Sequence, residues 1–378
     1  MDSIKKKYLS LIDSSEVGEV NHFEEVSVLP KDFLNTNLSI SFDETGGPFY
    51  TAQLLGMAFN NNKRSVYMTL EDIKKDTNAL NVLSNDTFKI GYDIKRNYHI
   101  AKRHDLNIKF NFDVMISAFL CNSTYTDLDK INEGFNLNVI DKQSNNIELC
   151  TNFVKNINDL YNQTNPLLKE YEIEKLFYDL ELPLTQVLFD MEEEGINVDI
   201  EVLDVIAKET LLRINELTSI IYDYAGMEFN INSPKQLAEV LFDKLELPAN
   251  KKRSTAVDVL EKLSGFHPII DNLMEYRKLQ KIYSTYAEGL KKYIQEDGKM
   301  HTVYNQCISQ TGRLSSSEPN LQNISIKDEQ GAQVRKAFLP SPNNVLIASD
   351  YSQIELRVLA DMAAEQGLIE AFNTGFDV

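Results

Sequence analysis

The chain has 378 residues, of which 43% are hydrophobic, with 15 glycines and 10 prolines. This composition indicates a globular protein and not a disordered one, and the length favours two or three domains over one hydrophobic core. The formal net charge of −19 at pH 7 argues at first against a polyanionic partner such as nucleic acid.

The first residues and the cysteines predict a cytoplasmic protein. The opening MDSIKKKYLSLIDSS lacks the apolar core of a secretory signal peptide, and no apolar run reaches the roughly 18 residues of a membrane span. Cys121, Cys150 and Cys307 are far apart and form no Cys-x-x-Cys pair, which argues against a disulfide framework and a zinc site. We therefore expect a reducing environment and no membrane contact.

Up to about residue 170, short apolar runs alternate with Asn-rich polar stretches. These runs are LSISFD, LLGMAF, SVYMTL, FKIGYD and NFDVMISAFL. Their length and the polar segments between them predict strands mixed with helices around a sheet.

From about residue 171 to 296 the apolar pattern takes the period of a helix. In NSPKQLAEVLFDKLELP, Ser233 is a helix cap, Pro234 occupies the first helical position and Gln236 follows the cap by three residues. The stretch HPIIDNLMEYRKLQKIYSTYAEGLKKYI places seven side chains on one stripe: Ile269, Leu273, Tyr276, Leu279, Tyr283, Tyr286 and Leu290. Arg277 and Lys281 share a different face, because they are four residues apart.

The charge is distributed unevenly along this helical region. Residues 166–204 contain twelve acidic and two basic side chains, a net charge of −10, whereas residues 249–292 contain nine basic and five acidic side chains, a net charge of +4. Local charge decides where a polyanion binds. The total of −19 therefore does not exclude DNA as a partner.

The stretch TGRLSSSEPNLQNI, residues 311–324, concentrates Arg, Asn and Gln donors beside a glycine. Donors of this kind suit the DNA minor groove, where every base pair offers an acceptor at nearly the same place. The alternative is a polar loop that satisfies its own backbone, and composition alone favours that alternative.

The stretch LIASDYSQIELRVLAD, residues 346–361, carries a second candidate site. Residues 345–349 predict a buried strand, and Asp350 falls where that strand ends, a common place for ligand-binding groups. A carboxylate there can bind Mg²⁺, which takes few protein ligands and completes its shell with water and substrate phosphates. The alternative is a helix cap, for which Asp is also favoured. The stretch QIELRVLADMAAEQGLIEAF predicts one helix after the strand.

These two stretches, in this order, resemble the bacterial family A DNA polymerases, the DNA polymerase I group. The resemblance continues upstream through HTVYNQ, YRKLQKIYSTYAEGL, STAVDVLEKL, NINSPKQLAEVLFDKLELP and ELPLTQVLFDMEEEGINVD, and thus covers residues 171–378 and, more weakly, the region before. It implies an α+β multidomain protein. The expected parts are a ribonuclease H-like exonuclease-type domain at 1–170, a helical thumb with connecting helices at 171–298, and the first part of a β-sheet palm at 299–378.

The resemblance assigns roles to the residues at the end of the chain. Asp350 matches a ligand of the catalytic metals, two Mg²⁺ ions in the complete enzyme, with the Tyr351 carbonyl nearby. Glu355 matches a buried gate that crowds the sugar 2′ position and thereby selects deoxynucleotides. The expected partners are primer–template DNA and deoxynucleoside triphosphates, bound by a monomer.

The resemblance also assigns two groups of DNA contacts. Minor-groove contacts near the primer terminus match Arg313, Asn320, Gln322 and Asn323. Backbone contacts of the thumb, which are independent of sequence and sensitive to salt, match Arg277, Lys281, Lys251, Lys252 and Arg253. The basic segment at 249–292 is therefore where the family places its DNA.

Four positions depart from the family pattern. Ser325 and Lys327 stand where proline and arginine are common, and a lysine meets a phosphate without the fork of a guanidinium. Cys307 replaces a frequent threonine and Tyr283 a frequent lysine.

The exonuclease-type domain has lost the pattern of its metal site. The family has Asp-x-Glu after a strand, whereas Asp43 and Glu44 are adjacent here and point to opposite faces of a strand unless a bulge intervenes. The second motif aligns with Asn97, a neutral and poorer Mg²⁺ ligand, and the third has no counterpart in LCTNFVKNINDLYN. Asp113 matches a structural aspartate. We therefore expect a retained fold without proofreading activity.

The partner carboxylate of Asp350 is expected beyond residue 378. Two-metal phosphoryl transfer needs carboxylates on both sides of the ion pair, and the family supplies the second from a His-Asp-Glu turn that this chain lacks. We thus expect a polymerase fragment that binds primer–template but lacks a complete active site. Two alternatives remain open: a non-catalytic DNA-binding remnant and a 3′–5′ exonuclease.

Overall fold

The computed structural model describes residues 23–137, 146–249, 252–324 and 329–375. The strands are β1 Glu24–Glu25, β2 Leu38–Glu44, β3 Leu54–Asn60, β4 Ser65–Thr69, β5 Lys89–Gly91, β6 Phe112–Asp113, β7 Ile196–Val198, β8 Lys299–Met300, β9 Val303–Asn305, β10 Ser315–Ser317 and β11 Phe338–Leu339. The helices are α1 Leu70–Lys75, α2 Thr77–Ser84, α3 Ile94–Arg103, α4 Val114–Cys121, α5 Leu128–Gly134, α6 Asn146–Glu170, α7 Leu182–Glu194, α8 Ile200–Ala225, α9 Pro234–Ala238, α10 Val257–Leu263, α11 Ile269–Lys281, α12 Glu329–Arg335, α13 Ile354–Met362 and α14 Gln366–Asn373.

Segments of π-helix adjoin α7, α9 and α11. They are Leu176–Glu181, Glu239–Lys244 and Ile282–Ala287. The 3-10 turns are Lys31–Phe33 and Lys291–Tyr293. Across the described ranges, no helix combines the length and the apolar character that a membrane crossing requires.

The first part of the chain folds around a six-stranded sheet with the order β1-β4-β3-β2-β5-β6. Strands β2, β3 and β4 form an antiparallel meander, while β5 and β6 extend the sheet in parallel to β2. Helices cover both faces: Met57 and Met68 pack in the cluster that contains Ile73, whereas Ala58 packs with Val154 of α6. Apolar residues therefore run almost continuously along these strands, as the sequence predicts.

The middle of the chain is helical, as predicted. The long helix α8 begins at Asp199, whose carboxylate accepts from two backbone N–H groups, and ends at Gly226 with φ +62°. It packs against α11, and six of the seven residues of the predicted stripe are buried; Tyr283 is half-buried. Ser233 caps α9 as predicted, but the Gln236 side chain accepts from the Asn230 N–H at 2.7 Å and thereby fixes the loop before the helix.

The last part of the chain contributes two small sheets, β11-β7-β8 and β10-β9. Their core joins the base of the helical region, because Tyr286 and Leu290 pack with Met300, Ile324 and Val334. The predicted boundaries at 170 and 298 stay predictions. Phe177 packs in the core of the first sheet and its helices, so contacts extend across residue 170.

Two predictions for residues 345–372 are wrong in this structure. Residues 345–349 form no strand, and the side chain of Ile347 is 87% exposed. The physical reason is that no described strand pairs with this segment, and an isolated strand has no partner for its backbone groups. The predicted single helix is two, α13 and α14, because Ala364 has φ +51° and Glu365 caps α14 by accepting from the Gly367 N–H at 3.2 Å.

Candidate nucleic-acid interface

Residues 311–324, called the recognition loop below, are held from beneath by the β9–β10 pair. Ser316 of β10 is paired with Tyr304 of β9. The buried Ser316 hydroxyl accepts from the Leu321 N–H at 3.1 Å and lies 2.7 Å from the Thr302 hydroxyl, which also donates to the Pro319 carbonyl at 2.8 Å. A small buried hydroxyl pair therefore fixes the turn between β10 and the rest of the loop.

The amides of the recognition loop are exposed, yet they also bind their own backbone. The Asn320 carbonyl oxygen accepts from the Gln322 N–H at 3.0 Å, and the Gln322 amide donates to the Leu314 carbonyl at 3.1 Å. The Asn323 carbonyl accepts from the Tyr286 hydroxyl at 2.5 Å. Both readings of this sequence thus describe part of the loop: it satisfies its backbone and keeps Asn and Gln groups at the surface.

Arg313 and Glu355 lie together, although 42 residues separate them in the sequence. The Arg313 guanidinium donates to the Glu355 carboxylate, and the two side chains are 72% and 69% exposed. The prediction of a buried Glu355 is therefore wrong in this structure, because the described residues around α13 leave it in solvent. The contact places the predicted sugar gate beside a predicted minor-groove donor.

Asp350 lies in an exposed segment rather than at the end of a buried strand. Tyr351 beside it is 80% exposed, and the residue that caps α13 is Gln353, so the helix-cap alternative for Asp350 is wrong as well. Among the residues that the structure describes, no group of three or more His, Cys, Asp or Glu side chains is arranged to hold a metal ion. These residues therefore do not fit a Mg²⁺ site by themselves, since a single exposed carboxylate is a weak ligand set.

Arg277 is half-buried and holds the loop before α10. Its guanidinium donates to the Thr255 carbonyl and to the Thr255 hydroxyl, the latter at 3.2 Å. Burial lowers the pKa of the Arg277 guanidinium from its usual value. Lys281, one turn later on the same face, is exposed. The two predicted thumb contacts thus differ: one is a structural strut, and the other extends into solvent.

A basic groove of about 790 Å³ lies between the start of α9 and this loop. Its charged lining residues are Lys235, Glu239, Lys252, Arg253 and Arg277. Lys252 is exposed, whereas Arg253 donates to the Asp243 carboxylate at 2.6 Å. Lys251 lies outside the described residues, and so do Lys327 and Ser325. The groove has the positive charge that a phosphate backbone requires.

In the first domain, Asp43 and Glu44 are each held by a different protein partner. The β2–β3 pairing shifts register between these two residues, which is the bulge that the sequence left open. Asp43 is buried and accepts from the Tyr67 hydroxyl at 2.8 Å. Burial raises the pKa of the Asp43 carboxyl, and the hydrogen bond from Tyr67 opposes that rise. Asp43 is therefore part of a core hydrogen bond.

The remaining exonuclease-type positions are also engaged in the fold. Glu44 accepts two hydrogen bonds of 2.7 Å from Arg96, and the Asn97 amide donates to the Tyr92 carbonyl at 3.1 Å. Asp113 accepts from the Ile94 N–H at 2.9 Å and from the Met115 N–H at 2.8 Å, a structural role. Complete burial raises the pKa of the Asp113 carboxyl to about 7.

A buried ion-pair network is the feature that sequence reasoning missed. Glu192 of α7 contacts Lys95 and His99 of α3, and Glu193 contacts His99 and Lys102. The sequence offers a weak signal, since Lys95, His99 and Lys102 fall on one face of α3. Nothing in the pattern MEEE indicates that one of its three acids is fully buried.

Two family models match the chain. The model of DNA polymerase family A matches residues 200–378, and the model of the ribonuclease H-like domain of DNA polymerase I matches residues 43–145. Together they confirm the predicted family and, with the solved structure below, the predicted fold class.

Curated relatives and a solved structure agree with these models. DNA polymerase I of Lactococcus lactis subsp. cremoris is 38% identical over 88% of this chain and 40% of its own length, and that of Geobacillus stearothermophilus is 36% identical over 92% and 42%. The chain thus spans less than half of these relatives. The solved POL domain of Pol1 from M. smegmatis, in complex with DNA primer–template and dNTP, matches with a TM-score of 0.79 and 29% identity over 92% of this chain and 63% of that chain.

Proposed function

Because the chain belongs to the family A DNA polymerases, we propose that it forms the primer–template-binding part of an enzyme that extends a primer 3′-hydroxyl with deoxynucleotides. The observation that carries the proposal is the pairing of two motif regions in space, with Arg313 of the recognition loop against Glu355 of α13. A contact between a minor-groove donor and a sugar gate is expected where the primer end and the incoming nucleotide meet.

Two surfaces support duplex binding. The recognition loop presents Asn320 and Gln322 at the surface, and these amides suit the acceptors common to all base pairs. The basic groove beside Thr255, together with Lys281, suits the phosphate backbone. Both modes are independent of base sequence, as a polymerase requires, because its template varies.

The same geometry argues for an incomplete catalytic centre in this chain. Family A DNA polymerases use divalent metal ions, and Mg²⁺ is the ion we propose, because a carboxylate is a hard oxygen ligand. Asp350 supplies one such ligand, and among the described residues it belongs to no group of three or more His, Cys, Asp or Glu side chains that could hold a metal ion. We therefore propose that the chain binds primer–template, and that the contacts to dNTP are completed only in a longer protein. We also propose that this protein is a monomer in the reducing cytoplasm, which the separated cysteines favour.

Binding of a primer–template duplex tests the proposal. The purified chain is titrated against a fluorescein-labelled duplex, by anisotropy, between 50 and 200 mM salt. We expect affinity to fall with salt and to differ less than about threefold between two unrelated sequences. Lys281→Ala is expected to reduce the slope of log K against log salt by about 0.9, the release of one counterion equivalent.

Lys75→Ala is the matched control, because it removes the same charge from an exposed pair on α1, away from the proposed surface. Equal slopes for the wild type, Lys281→Ala and Lys75→Ala would contradict the thumb contact. An absence of duplex binding at 50 mM salt overturns the function as a whole, and primer extension by the pure chain overturns the incomplete centre.

A further inference from the structure

We propose that the exonuclease-type domain positions the recognition loop for DNA, by anchoring residues 304–307, and that Glu192 is the positioning residue of this anchor. Residues 304–307, called the anchor segment, include the end of β9 and precede the recognition loop by three residues. This inference rests on the proposed function only in taking DNA as the ligand of the recognition loop. The anchor itself is a property of the folded chain, and it gives a structural task to a domain whose metal site is occupied by protein contacts.

Glu192 connects the two parts of the molecule through one fully buried carboxylate. Its Oε1 accepts from the Lys95 ammonium of α3 and, at 2.6 Å, from the backbone N–H of Tyr304 in the anchor segment. Its Oε2 lies 2.6 Å from Nε2 of His99, also on α3. The side chain has no exposed surface. One carboxylate thus binds a helix of the first domain and a strand next to the recognition loop.

The anchor segment has two further attachments on the same side. The Gln306 amide donates to the Glu181 carbonyl at 3.0 Å and carboxylate at 3.1 Å, and its oxygen accepts from the Thr185 hydroxyl at 3.3 Å. Cys307 is buried in the core cluster that contains Phe112 of β6 and Phe177. Three of the four residues in the segment are therefore fixed to the exonuclease-type domain or to the helices that adjoin it.

The anchor segment reaches the recognition loop through a short chain of contacts. Tyr304 pairs with Ser316 across β9 and β10, and the Ser316 hydroxyl accepts from the Leu321 N–H at 3.1 Å. Leu321 lies between Asn320 and Gln322, the exposed amides of the loop. A shift of Tyr304 therefore changes where these amides point, because strand pairing joins Tyr304 to Ser316 and a direct hydrogen bond joins Ser316 to Leu321.

Helix α3 carries both the lost site and the anchor, on opposite faces. Lys95 and His99 are four residues apart on one face, while Asn97 lies on the other, about 200° around the helix from each. Buried ion pairs contribute little net stability compared with apolar packing, but their directional bonds fix one arrangement of the elements they join. This network therefore serves to fix the relative positions of α3, α7 and β9 more than to stabilise the fold.

Hydrogen exchange and duplex binding by the 378-residue chain test the anchor. Glu192→Gln removes the charge that binds α3 and weakens the acceptor for Tyr304, whereas Glu193→Gln perturbs His99 in the same network without touching β9. In Glu192→Gln we expect amides of residues 303–322 to exchange about tenfold faster. Duplex affinity is expected to weaken about three- to tenfold, with an unchanged binding stoichiometry. Glu193→Gln is expected to lower global stability, but to leave duplex affinity and the local exchange of residues 303–322 within about twofold of the wild type, because it has no contact with β9.

A second variant covers the case in which Glu192→Gln fails to fold. Gln306→Leu removes another attachment of the anchor segment and leaves no buried charge, and the same faster exchange and weaker binding are expected. Unchanged exchange at 315–322 in the folded variants, or equal effects of Glu192→Gln and Glu193→Gln, overturns the proposal. Exchange is measured without DNA, so it tests the anchor even if the wild type binds no duplex and the proposed function fails.

Discussion

Arg96 holds Glu44 through two parallel hydrogen bonds, from Nε to Oε1 and from Nη2 to Oε2, each 2.7 Å long. The same guanidinium donates to the Gly47 carbonyl at 2.9 Å. Hydrogen bonds to Glu44 raise the pKa of Arg96 despite the opposing effect of burial. A protein cation thus neutralises a carboxylate that the sequence predicts to belong to a degenerate exonuclease motif, and Glu44 joins β2 to α3.

The first prediction concerns the stability that this pair provides. Arg96→Ala leaves Glu44 partly buried without its cation, and we expect a loss of about 2 kcal/mol. The measurement is the urea midpoint by circular dichroism, since the chain contains no tryptophan for fluorescence. Lys75→Ala, which breaks the exposed pair with Glu71, is the control and is expected to change stability by about 0.5 kcal/mol or less.

The same relationship predicts that the domain gains nothing from divalent ions. We expect MgCl₂ and MnCl₂ to leave the unfolding midpoint of the wild type unchanged, because ligand-linked stabilisation requires a site. Degradation of single-stranded DNA that depends on Mg²⁺ and disappears in Asp43→Ala would contradict this expectation and restore the exonuclease alternative.

The elements that could be predicted from the sequence are those that a local residue pattern identifies. Four of the five apolar runs are occupied for at least half of their length by a strand of the first sheet, β2, β3, β4 or β5, because apolar residues bounded by polar turns identify buried strands. The fifth, NFDVMISAFL, is two residues of strand followed by α4, since a short apolar run does not distinguish a strand from a buried helix. The cap at Ser233 was predicted because its pattern is local.

The candidate site was less predictable because its geometry depends on distant partners. Nothing in the sequence indicates that Arg277 contacts Thr255, or that Glu192 rather than Glu194 is the buried acid. Residues 345–349 have the apolar run of a strand, yet strand formation requires a neighbouring strand that the described residues do not provide. Tertiary contacts, and not local preference, determine these positions.

The acid network gives a pH prediction at Glu193. Burial alone raises the pKa of the Glu193 carboxyl, but hydrogen bonds and charge from His99 and Lys102 lower it to about 2. A lowered carboxyl pKa adds stability above the unfolded value of 4.5, and this contribution is lost as the pH falls through the folded value. The stability difference between wild type and Glu193→Gln is expected to fall from about 3 kcal/mol at pH 7 to about 1 kcal/mol at pH 3.

The comparison is made from urea midpoints at each pH. Glu370→Gln, in the exposed part of α14, is the control and is expected to show a constant difference near zero. A Glu193→Gln difference that grows as the pH falls would contradict the predicted sign.

The contact between Arg313 and Glu355 predicts a competition with DNA. Both side chains are largely exposed, so we expect Glu355→Gln to change stability by about 0.5 kcal/mol or less. The variant frees Arg313 for an acceptor on the duplex, and we expect primer–template affinity to rise about two- to fivefold at low salt. Glu370→Gln removes the same charge without contacting Arg313. If both variants raise affinity equally, the gain reflects net charge and the competition is excluded.

The last prediction separates the two predicted thumb contacts on α11, Arg277 and Lys281. Arg277→Ala removes the donor that holds Thr255, so residues 252–256 lose a fixed position, and we expect duplex affinity to fall about tenfold with faster proteolysis of this loop.

Thr255→Val removes only the hydroxyl acceptor and leaves the carbonyl bond to Arg277. It is expected to reduce affinity about twofold while keeping the salt dependence of the wild type, because no phosphate contact is lost. Lys281→Ala should instead change the salt dependence and leave the loop as resistant to trypsin as before, apart from the deleted cleavage site. Arg277→Ala with unchanged loop proteolysis would show that Arg277 acts on DNA directly and not through Thr255.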